Sequence, residues 1–445
     1  MQVQRKPNAD LYEVTFGGKD HSPIVFYTTK SIALPHGERL LFDGFITKYK
    51  GKEAEFFGKF FKENGIRDLL EEAQEWDGCW AIIYINQNGT VYCFTDPLGK
   101  KQLYYNKRGD ICSQIKPLVS KEEEFELDYL YLGAIQKWGY NVDDLTPFTS
   151  VKRVMPGKLY MFMGGTLQNV TSECYFDWRW GATKLSSESL RTLIRNSVVE
   201  YTQAISKSEK NIAVLLSGGI DSSIISYELL QAQKDGRALV GKTLRFYTIN
   251  NQEDAPFVEL FAKRFGIKVK SLSYDMKTVR LDEALSINET PVDLGSMVPN
   301  QFMFKAIPER VIFTGDGPDE MFGGYRRIDE YDSQKSDVFH ELSFYHLPRL
   351  EKAASHFKKD LRCPWLSYDI VRYALSLPFE GRKHKAPIKT AYAGIIPEEI
   401  INRPKLPLKN DELRADPIAY RRKLIETFIN LVEASSKIFA DFVEK

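Results

Sequence analysis

Val214-Leu215-Leu216-Ser217-Gly218-Gly219-Ile220-Asp221-Ser222-Ser223 is an apolar run that breaks into Ser-Gly-Gly-x-Asp-Ser and then continues as a helix-like segment. The apolar run predicts a buried strand, and the two glycines let backbone N–H groups approach an anion closely where the following helix begins. Leu216, Ser217, Gly218 and Gly219 then wall a phosphate site, to which Ser222 and Ser223 can add hydroxyl donors. The Gly-Lys-Ser/Thr ending of a Walker loop is missing, so the lone carboxylate of Asp221 suits a magnesium ion better than direct contact with phosphate. Taken alone, the six residues also read as a Gly-Gly strand-to-helix turn with a serine N-cap.

Downstream, Arg310-Val311-Ile312-Phe313-Thr314-Gly315-Asp316-Gly317-Pro318-Asp319-Glu320-Met321-Phe322-Gly323-Gly324-Tyr325 is a second apolar strand opening into a turn, this one dense in glycine and carboxylate. The two segments, in this order and at this spacing, resemble the synthetase domain of the glutamine-hydrolysing asparagine synthetases and their relatives. Those proteins carry Ser-Gly-Gly-x-Asp-Ser followed by Gly-Asp/Glu-Gly-x-Asp-Glu-x-Phe-Gly-Gly-Tyr. The resemblance continues in Ala374-Leu375-Ser376-Leu377-Pro378, in Lys385-Ala386-Pro387-Ile388-Lys389-Thr390-Ala391 and in Ile396-Pro397-Glu398-Glu399-Ile400-Ile401-Asn402-Arg403-Pro404-Lys405. It implies a PP-loop ATP-pyrophosphatase domain with a helical C-terminal part, ATP and Mg2+ as cofactors, and AMP-forming amide-bond chemistry.

Making an acyl-adenylate from a carboxylate and ATP releases pyrophosphate and requires charge neutralisation at the phosphates, a task for two separated carboxylates on magnesium. Asp221 and Asp319 fit, and the resemblance places the metal on the same two positions. It also places Asp316 by the adenylate, as general base or as the group that orients the attacking amine. Lys385 matches the family lysine that reaches the adenylate, where an ammonium stabilises the charge developing during attack on the acyl carbon. Gly315 and Tyr325 join Leu216, Ser217, Gly218, Gly219, Asp221, Ser222 and Ser223 in the expected nucleotide site. By the same resemblance Ile249 contacts the adenine, and residues 289–296 border the acyl pocket. A solvated acidic turn is the competing reading of Asp316, Asp319 and Glu320. The basic neighbours of Lys385, namely Arg382, Lys383, Lys389, Arg403, Lys405 and Lys409, read as ordinary surface.

The 445 residues are 43% hydrophobic and 27% charged, enough for two cores, since one core rarely grows past about 250–300 residues. A net charge of +1 gives no overall footprint for nucleic acid, while leaving room for a local basic patch against an acidic substrate. Cys79, Cys93, Cys112, Cys174 and Cys363 are scattered without a Cys-x-x-Cys pair, and read as reduced core thiols. No charged-then-apolar leader opens the chain and no apolar run approaches the ~18 residues of a membrane span, which reads as a cytoplasmic protein without membrane contact. Asn169-Val170-Thr171 has the form of a glycosylation acceptor and, without a leader, reads as chance. An oligomer is compatible with the sequence and not specified by it.

The first 180 residues follow another pattern. Trp80-Ala81-Ile82-Ile83-Tyr84-Ile85 and Val91-Tyr92-Cys93-Phe94-Thr95, joined through Asn88-Gly89, predict a hairpin, and residues 53–76 predict a helical stretch. Asp96-Pro97-Leu98-Gly99-Lys100-Lys101-Gln102-Leu103-Tyr104-Tyr105 resembles the Asp-x-x-Gly-x-x-Pro-Leu-Tyr-Tyr segment in the glutaminase half of the same family. Met155-Pro156-Gly157 and Tyr175-Phe176-Asp177-Trp178 fall where that half ends. The resemblance implies an Ntn-hydrolase-like αββα sandwich over 1–180, followed, after a linker near 181–183, by the synthetase domain over 186–445. Such a glutaminase uses an N-terminal cysteine whose thiol attacks the amide and whose own amine is the base. This chain begins Met1-Gln2-Val3, its counterpart of the family Asn-Gly-Glu segment is Asp43-Gly44-Phe45, and no arginine matches the glutamine-binding one. Cys79, beside Trp80 and an apolar run, reads as a packed strand residue rather than a relocated nucleophile. The expectation is a glutaminase domain without activity.

From residue 186 the pattern alternates: a helix over 190–201, the strand into Ser217, a helix to Leu230, a strand over 244–249, a helix over 256–265, and mainly helix after Asp329. Alternation of this kind predicts a parallel sheet with its ligand at the carboxyl ends of the strands, where Ser217 and Gly315 fall. The partners implied are a small carboxylic acid and an amine, the amine being ammonia, a group on the same substrate as in β-lactam synthetases, or a peptide or larger acceptor as in lasso-peptide cyclases. Asp316, where the β-lactam-forming relatives usually have tyrosine, favours the asparagine-type chemistry. A nucleotide-binding or regulatory protein without catalysis is the reading from another class.

Overall fold

The computed structural model describes residues 2–5, 11–15, 24–27, 30–119, 126–163, 170–178, 189–250, 253–273, 280–292, 294–325, 339–404 and 416–434. In its C-terminal part five strands form a wholly parallel sheet in the spatial order Val269–Leu272, Thr243–Ile249, Asn211–Leu215, Val311–Phe313, Asp360–Arg362. Asn211–Leu215 is central, and the apolar run that predicted it is buried from Ile212 to Val214. The chain lays two strands on one side of it and then crosses to lay two on the other. Winding therefore reverses between Asn211–Leu215 and Val311–Phe313, and in open α/β sheets the crevice that receives a ligand lies at this switch point, beyond the carboxyl ends of the strands.

The helices agree with the alternation. Leu190–Gln203 starts with the Ser189 hydroxyl accepting the Thr192 N–H, Ala255–Phe265 ends on Gly266 in the left-handed region, and Ile220–Lys234 begins directly after Gly219. Ile220–Lys234 is buried on most of its circumference, because Leu190–Gln203 packs along it while its inner side faces the sheet. Among the described residues after Asp329 helix predominates, as in Leu347–His356, Tyr368–Ser376 and Pro417–Ala434. Asp360–Arg362 is the exception: three residues, too short for a periodic signal, that become the fifth strand by pairing with Val311–Phe313.

The N-terminal part is built on an antiparallel six-stranded sheet ordered Val170–Cys174, Lys158–Phe162, Val91–Thr95, Gly78–Ile85, Arg39–Ile46, Lys30–Ala33. The hairpin predicted around Asn88-Gly89 is present, with Ile85 opposite Val91. Alternate side chains leave the sheet on opposite faces. Phe42, Trp80, Ile82 and Phe94 meet Phe57, Leu69 and Trp76 from the helices Glu53–Phe60 and Ile66–Ala73 and the turn after them. Leu41, Ala81, Ile83 and Cys93 meet Leu103, Tyr105 and Ile111 of a second layer, in which Val151–Arg153, Tyr104–Asn106 and Ile111–Cys112 form a small sheet. Lys116–Val119 and Tyr129–Trp138 lie beyond that layer, completing an α-β-β-α order. Gln2–Arg5, Leu11–Thr15 and Ile24–Tyr27 make a further three-stranded sheet beside Ile111–Cys112.

Three readings of the sequence are corrected. Residues 53–76 hold two helices, broken around Gly65, which starts the second with its N–H on the Asp68 carboxylate at 2.7 Å. Cys174 is exposed at a strand end, while the other four cysteines are buried and all five are free. Arg382 and Arg403 belong to the site described below rather than to plain surface. Asn169, the 181–183 linker, Lys405 and Lys409 lie outside the described residues.

Candidate functional site

Both sequence motifs begin at the ends of the two switch-point strands. After Leu215, Leu216 is still buried and its N–H bonds the Tyr247 carbonyl at 2.9 Å. Gly218 then turns with φ +68, and a Cβ there would lie 2.9 Å from Cβ of Phe257, so side-chain-bearing residues are excluded by both backbone and space. Within the loop the Ser217 N–H donates to Ser222 Oγ at 3.1 Å, the two serine hydroxyls meet at 3.0 Å, and Ser222 Oγ also donates to the Gly219 carbonyl at 3.2 Å. Ser222 therefore closes the loop from inside. Ser223 is fully buried behind it. The loop stands at the N-terminus of a 15-residue helix, where unsatisfied N–H groups and the helix dipole favour an anion.

The second loop is packed onto the first. A Cβ on Gly315 would sit 2.6 Å from the Ser222 nitrogen, so glycine permits the two strand ends to close together. Gly317, at φ +115, turns the chain into the short helix Pro318–Met321, which presents Asp319 and Glu320 inward. A third segment completes the site: the N–H groups of His384 and Lys385 bond the carbonyls of Gly323 and Phe322 at 2.8 and 2.9 Å. His384 and Lys385 both lie in the left-handed region, at φ 55 and 59, a strained choice for residues with side chains that clusters at functional positions.

Those constraints deliver the Lys385 ammonium between two carboxylates. Nζ lies 2.6 Å from Asp221 Oδ2 and 2.6 Å from Asp319 Oδ1, all three side chains being nearly buried. Gly324 makes room, since a Cβ there would fall 2.0 Å from Asp319 Oδ1 and 2.3 Å from Lys385 Cε. Two oxygens from different loops thus converge on one cation, which is what a magnesium site shared with phosphate oxygens requires of a protein. Among the described residues no group of three or more His, Cys, Asp or Glu that could hold a metal ion converges.

Asp316 stands apart from this cluster. It is exposed at the rim, and its charge, after burial itself, contributes to pushing the Cys363 thiol up to about 12. Gly315 is half-buried beside it, and Ile249 is half-buried at the end of its strand, paired with Leu272. The Tyr325 hydroxyl donates to the Glu320 carboxylate and lies 3.3 Å from His346 Nε2, and burial together with the Glu320 charge holds that phenol well above its ordinary range. His346 Nε2 is 3.1 Å from Glu320 and its Nδ1 is 2.7 Å from Arg349, so the far side of the turn is closed by charged groups.

Three supports escaped sequence reading. Trp365, fully buried, donates Nε1–H to the Asp221 carbonyl at 3.2 Å. Arg403 donates to the Ser217 carbonyl at 3.2 Å, pairs with Asp254 and lies 4.3 Å from the Phe257 ring centroid, which fixes the loop from outside. Arg382 is buried and donates to the Met321 carbonyl. A single basic residue in a basic stretch carries no signal for this. The one available hint is that Arg403 lies inside the motif ending Arg403-Pro404-Lys405.

Parallel strands with a glycine loop at a helix N-terminus and convergent carboxylates at the switch point define an α/β protein with its ligand crevice at that point. The sequence model of the asparagine synthase family matches residues 190–360 and 336–433, and the chain belongs to that family. It is similar to the glutamine-hydrolysing asparagine synthetases of Homo sapiens, 26% identical over 359 residues, and of Gallus gallus, 24% over 370. The human alignment covers 74% of this chain and 62% of the relative, and the chicken alignment 76% and 64%, so the chain spans less than two thirds of those relatives' length.

Proposed function

We propose that this chain is an ATP-dependent, AMP-forming carbon-nitrogen ligase whose synthetase unit, 186–445, adenylates a carboxylic acid and passes the acyl group to an amine. The observation that carries the reading is the convergence of Asp221, Asp319 and Lys385 at the switch point of the sheet. A magnesium ion held by Asp221 and Asp319 would supply charge neutralisation at the phosphates. The N–H groups of Gly218 and Gly219 take the pyrophosphate portion of ATP. An oxygen of the substrate acid attacks the α-phosphorus, the bond from that phosphorus to the bridging oxygen breaks, and pyrophosphate leaves. The amine nitrogen then attacks the acyl carbon, the bond to the AMP oxygen breaks, and the proton released from nitrogen passes to Asp316 at the open rim. Lys385 gives up its carboxylate contacts for the negative charge that forms in each step.

The same reading assigns residues 1–180 to a glutaminase-like unit that does not hydrolyse glutamine. Three features support it. Asp43 is engaged by Lys101 at 3.1 Å, Phe45 replaces the glutamate of the family segment, and burial, the largest effect, holds the Cys79 thiol well above its ordinary range. Ammonia, or an amine on a metabolite or peptide, is then the attacking group.

The deciding experiment is magnesium-dependent pyrophosphate release from ATP over a panel of carboxylic acids, with ammonium, glutamine and small amines varied separately. Release with an acid and ammonium or another amine, and none with glutamine as sole nitrogen donor, is the expected result. Nucleotide binding without release under every combination would replace the ligase by a non-catalytic nucleotide binder.

A further inference from the structure

The stretch from Cys363 to Ser367 touches both loops of the site without contributing a group to the chemistry above. Trp365 Nε1 holds the Asp221 carbonyl at 3.2 Å, and Leu366 presses on the other loop, its Cδ2 lying 2.5 Å from where a Gly317 Cβ would be. Cys363 Sγ meets Thr314 Oγ1 at 3.2 Å. Trp365 and Leu366 are completely buried, so this turn is a platform under the two carboxylate-bearing loops.

Two side chains hold the platform from below. Ser197, on Leu190–Gln203, donates to the Pro364 carbonyl at 2.7 Å. The other is Lys100, from the N-terminal part, whose Nζ donates to the Leu366 carbonyl at 3.1 Å. Lys100 is 5% exposed and shares its remaining contacts with Tyr201 Oη at 3.3 Å and Asp77 Oδ1 at 3.7 Å. Its own backbone is fixed by Asp96, which accepts the N–H groups of Leu98 and Lys100 at 3.2 and 3.1 Å. Burying an ammonium is costly unless its partners are well placed, and a carbonyl held this way is held rigidly. Phe45, Cys79 and Leu98 lie in the same apolar cluster as Ile212, Phe313 and Trp365, so the contact joins two parts that already share a core.

We propose that Lys100 is a positioning residue of the adenylation site, through which the glutaminase-like part sets the Cys363–Ser367 platform and hence the placement of Asp221 and of the Gly317 turn. The inference rests on the ligase reading for what Asp221 does. It gives the N-terminal part a task that needs no glutamine chemistry. Lys100 occupies a variable position of its motif, so no motif assigns it this role.

The test uses the full chain and the equilibrium binding of a non-cleavable ATP analogue, by calorimetry, with and without Mg2+. The variant Lys100→Met/Asp77→Asn removes the clamp while leaving no unbalanced buried charge. It is expected to weaken the Mg2+-dependent affinity about tenfold, as loss of outer partners of a metal site commonly does, and to leave the metal-free affinity near that of the wild type. The control Lys30→Met/Glu53→Gln removes an ion pair of 2.7 Å in the N-terminal part that does not touch the platform, and is expected to keep both affinities. If the first variant does not fold, Lys100→Gln decides, since it withdraws the ammonium from the Leu366 carbonyl while keeping a polar side chain there, and it is expected to lower the Mg2+-dependent affinity alone. Unchanged Mg2+-dependent affinity, or an equal loss in the control, overturns the proposal. A wild-type chain that binds the analogue and releases no pyrophosphate from ATP defeats the ligase reading and leaves the affinity ratio to decide this one, while a wild type that binds no nucleotide overturns both.

Discussion

Among the described residues two lysines, Lys385 and Lys101, each sit between two carboxylates, and their surroundings differ. Lys385 lies 2.6 Å from Asp221 and from Asp319, and Lys101 lies 3.1 Å from Asp43 and against Glu351. The charge arithmetic is the same. The surroundings are not: Lys385 is reached through loops of glycine at the mouth of a parallel sheet, on a backbone held at φ 59. Lys101 follows the Asp96 turn and faces Cys79, in a core with Phe45 and Leu98. Burial disfavours its ammonium, yet Asp43 and Glu351 hold it well above the ordinary lysine range. A buried ion pair of this sort fixes one arrangement, whereas the Lys385 cluster carries strain in its backbone, a feature that gathers at switching and functional positions.

The comparison breaks most visibly at Lys385. Lys385→Met is expected to lower pyrophosphate release by about 10²–10³-fold, the usual loss when a group stabilising transition-state charge is removed, with the melting temperature changed little because the two carboxylates become free to take up magnesium. Equal turnover in wild type and variant would place Lys385 among the structural lysines. At Lys101 the order of effects reverses. Lys101→Met leaves Asp43 and Glu351 buried without their cation and is expected to cost about 3 kcal/mol of stability in denaturant unfolding. Adding Asp43→Asn and Glu351→Gln in the same chain is expected to recover most of it, and a triple variant no more stable than the single one would mean that the cluster does not act as a unit.

The sequence showed the two clusters unequally. The strand, loop and helix around Ser217 and the turn around Asp316 were legible because glycine and carboxylate spacing reports a local backbone requirement, and the structure puts both loops at the switch point. The resemblance placed Lys385 by the adenylate and Asp221 and Asp319 on the metal, and that the three side chains meet was not legible in the sequence. Lys100, Lys101, Trp365 and Arg403 were invisible: each acts across a long chain separation on carbonyls or carboxylates, and such contacts leave no periodicity. Asp360–Arg362 was missed for a related reason, since three residues become a strand only when Val311–Phe313 offers an edge. The membrane reading rested on the absence of a long apolar run, and among the described residues no helix is long and apolar enough to cross a membrane.

Gly324 offers a finer probe of how much space the Lys385 cluster needs. Gly324→Ala puts a methyl where Asp319 Oδ1 and Lys385 Cε now lie, at 2.0 and 2.3 Å from the new carbon. Displacing either group by about an ångström is expected to cost on the order of 10²-fold in pyrophosphate release, with melting shifted by only a few degrees. If Gly324→Ala turns over at the wild-type rate, the crowding around Lys385 has no bearing on catalysis, and the contrast with Lys101 loses its geometric basis.

The smallest effect is a chemical one and tests, without mutation, whether solvent is kept out of the Lys101 cluster. Cys79 borders the Lys101 cluster and Cys363 the platform beneath Asp221; both are buried, and burial raises both thiols, that of Cys363 to about 12. At pH 8 the thiolate that would react is then a very small fraction at either site, whereas Cys174 is exposed. Native alkylation followed by mass mapping is expected to modify Cys174 alone, with or without Mg2+ and nucleotide. Modification of Cys79 in the folded chain would show that solvent reaches the Lys101 cluster, and with it the difference in surroundings between the two lysines would disappear.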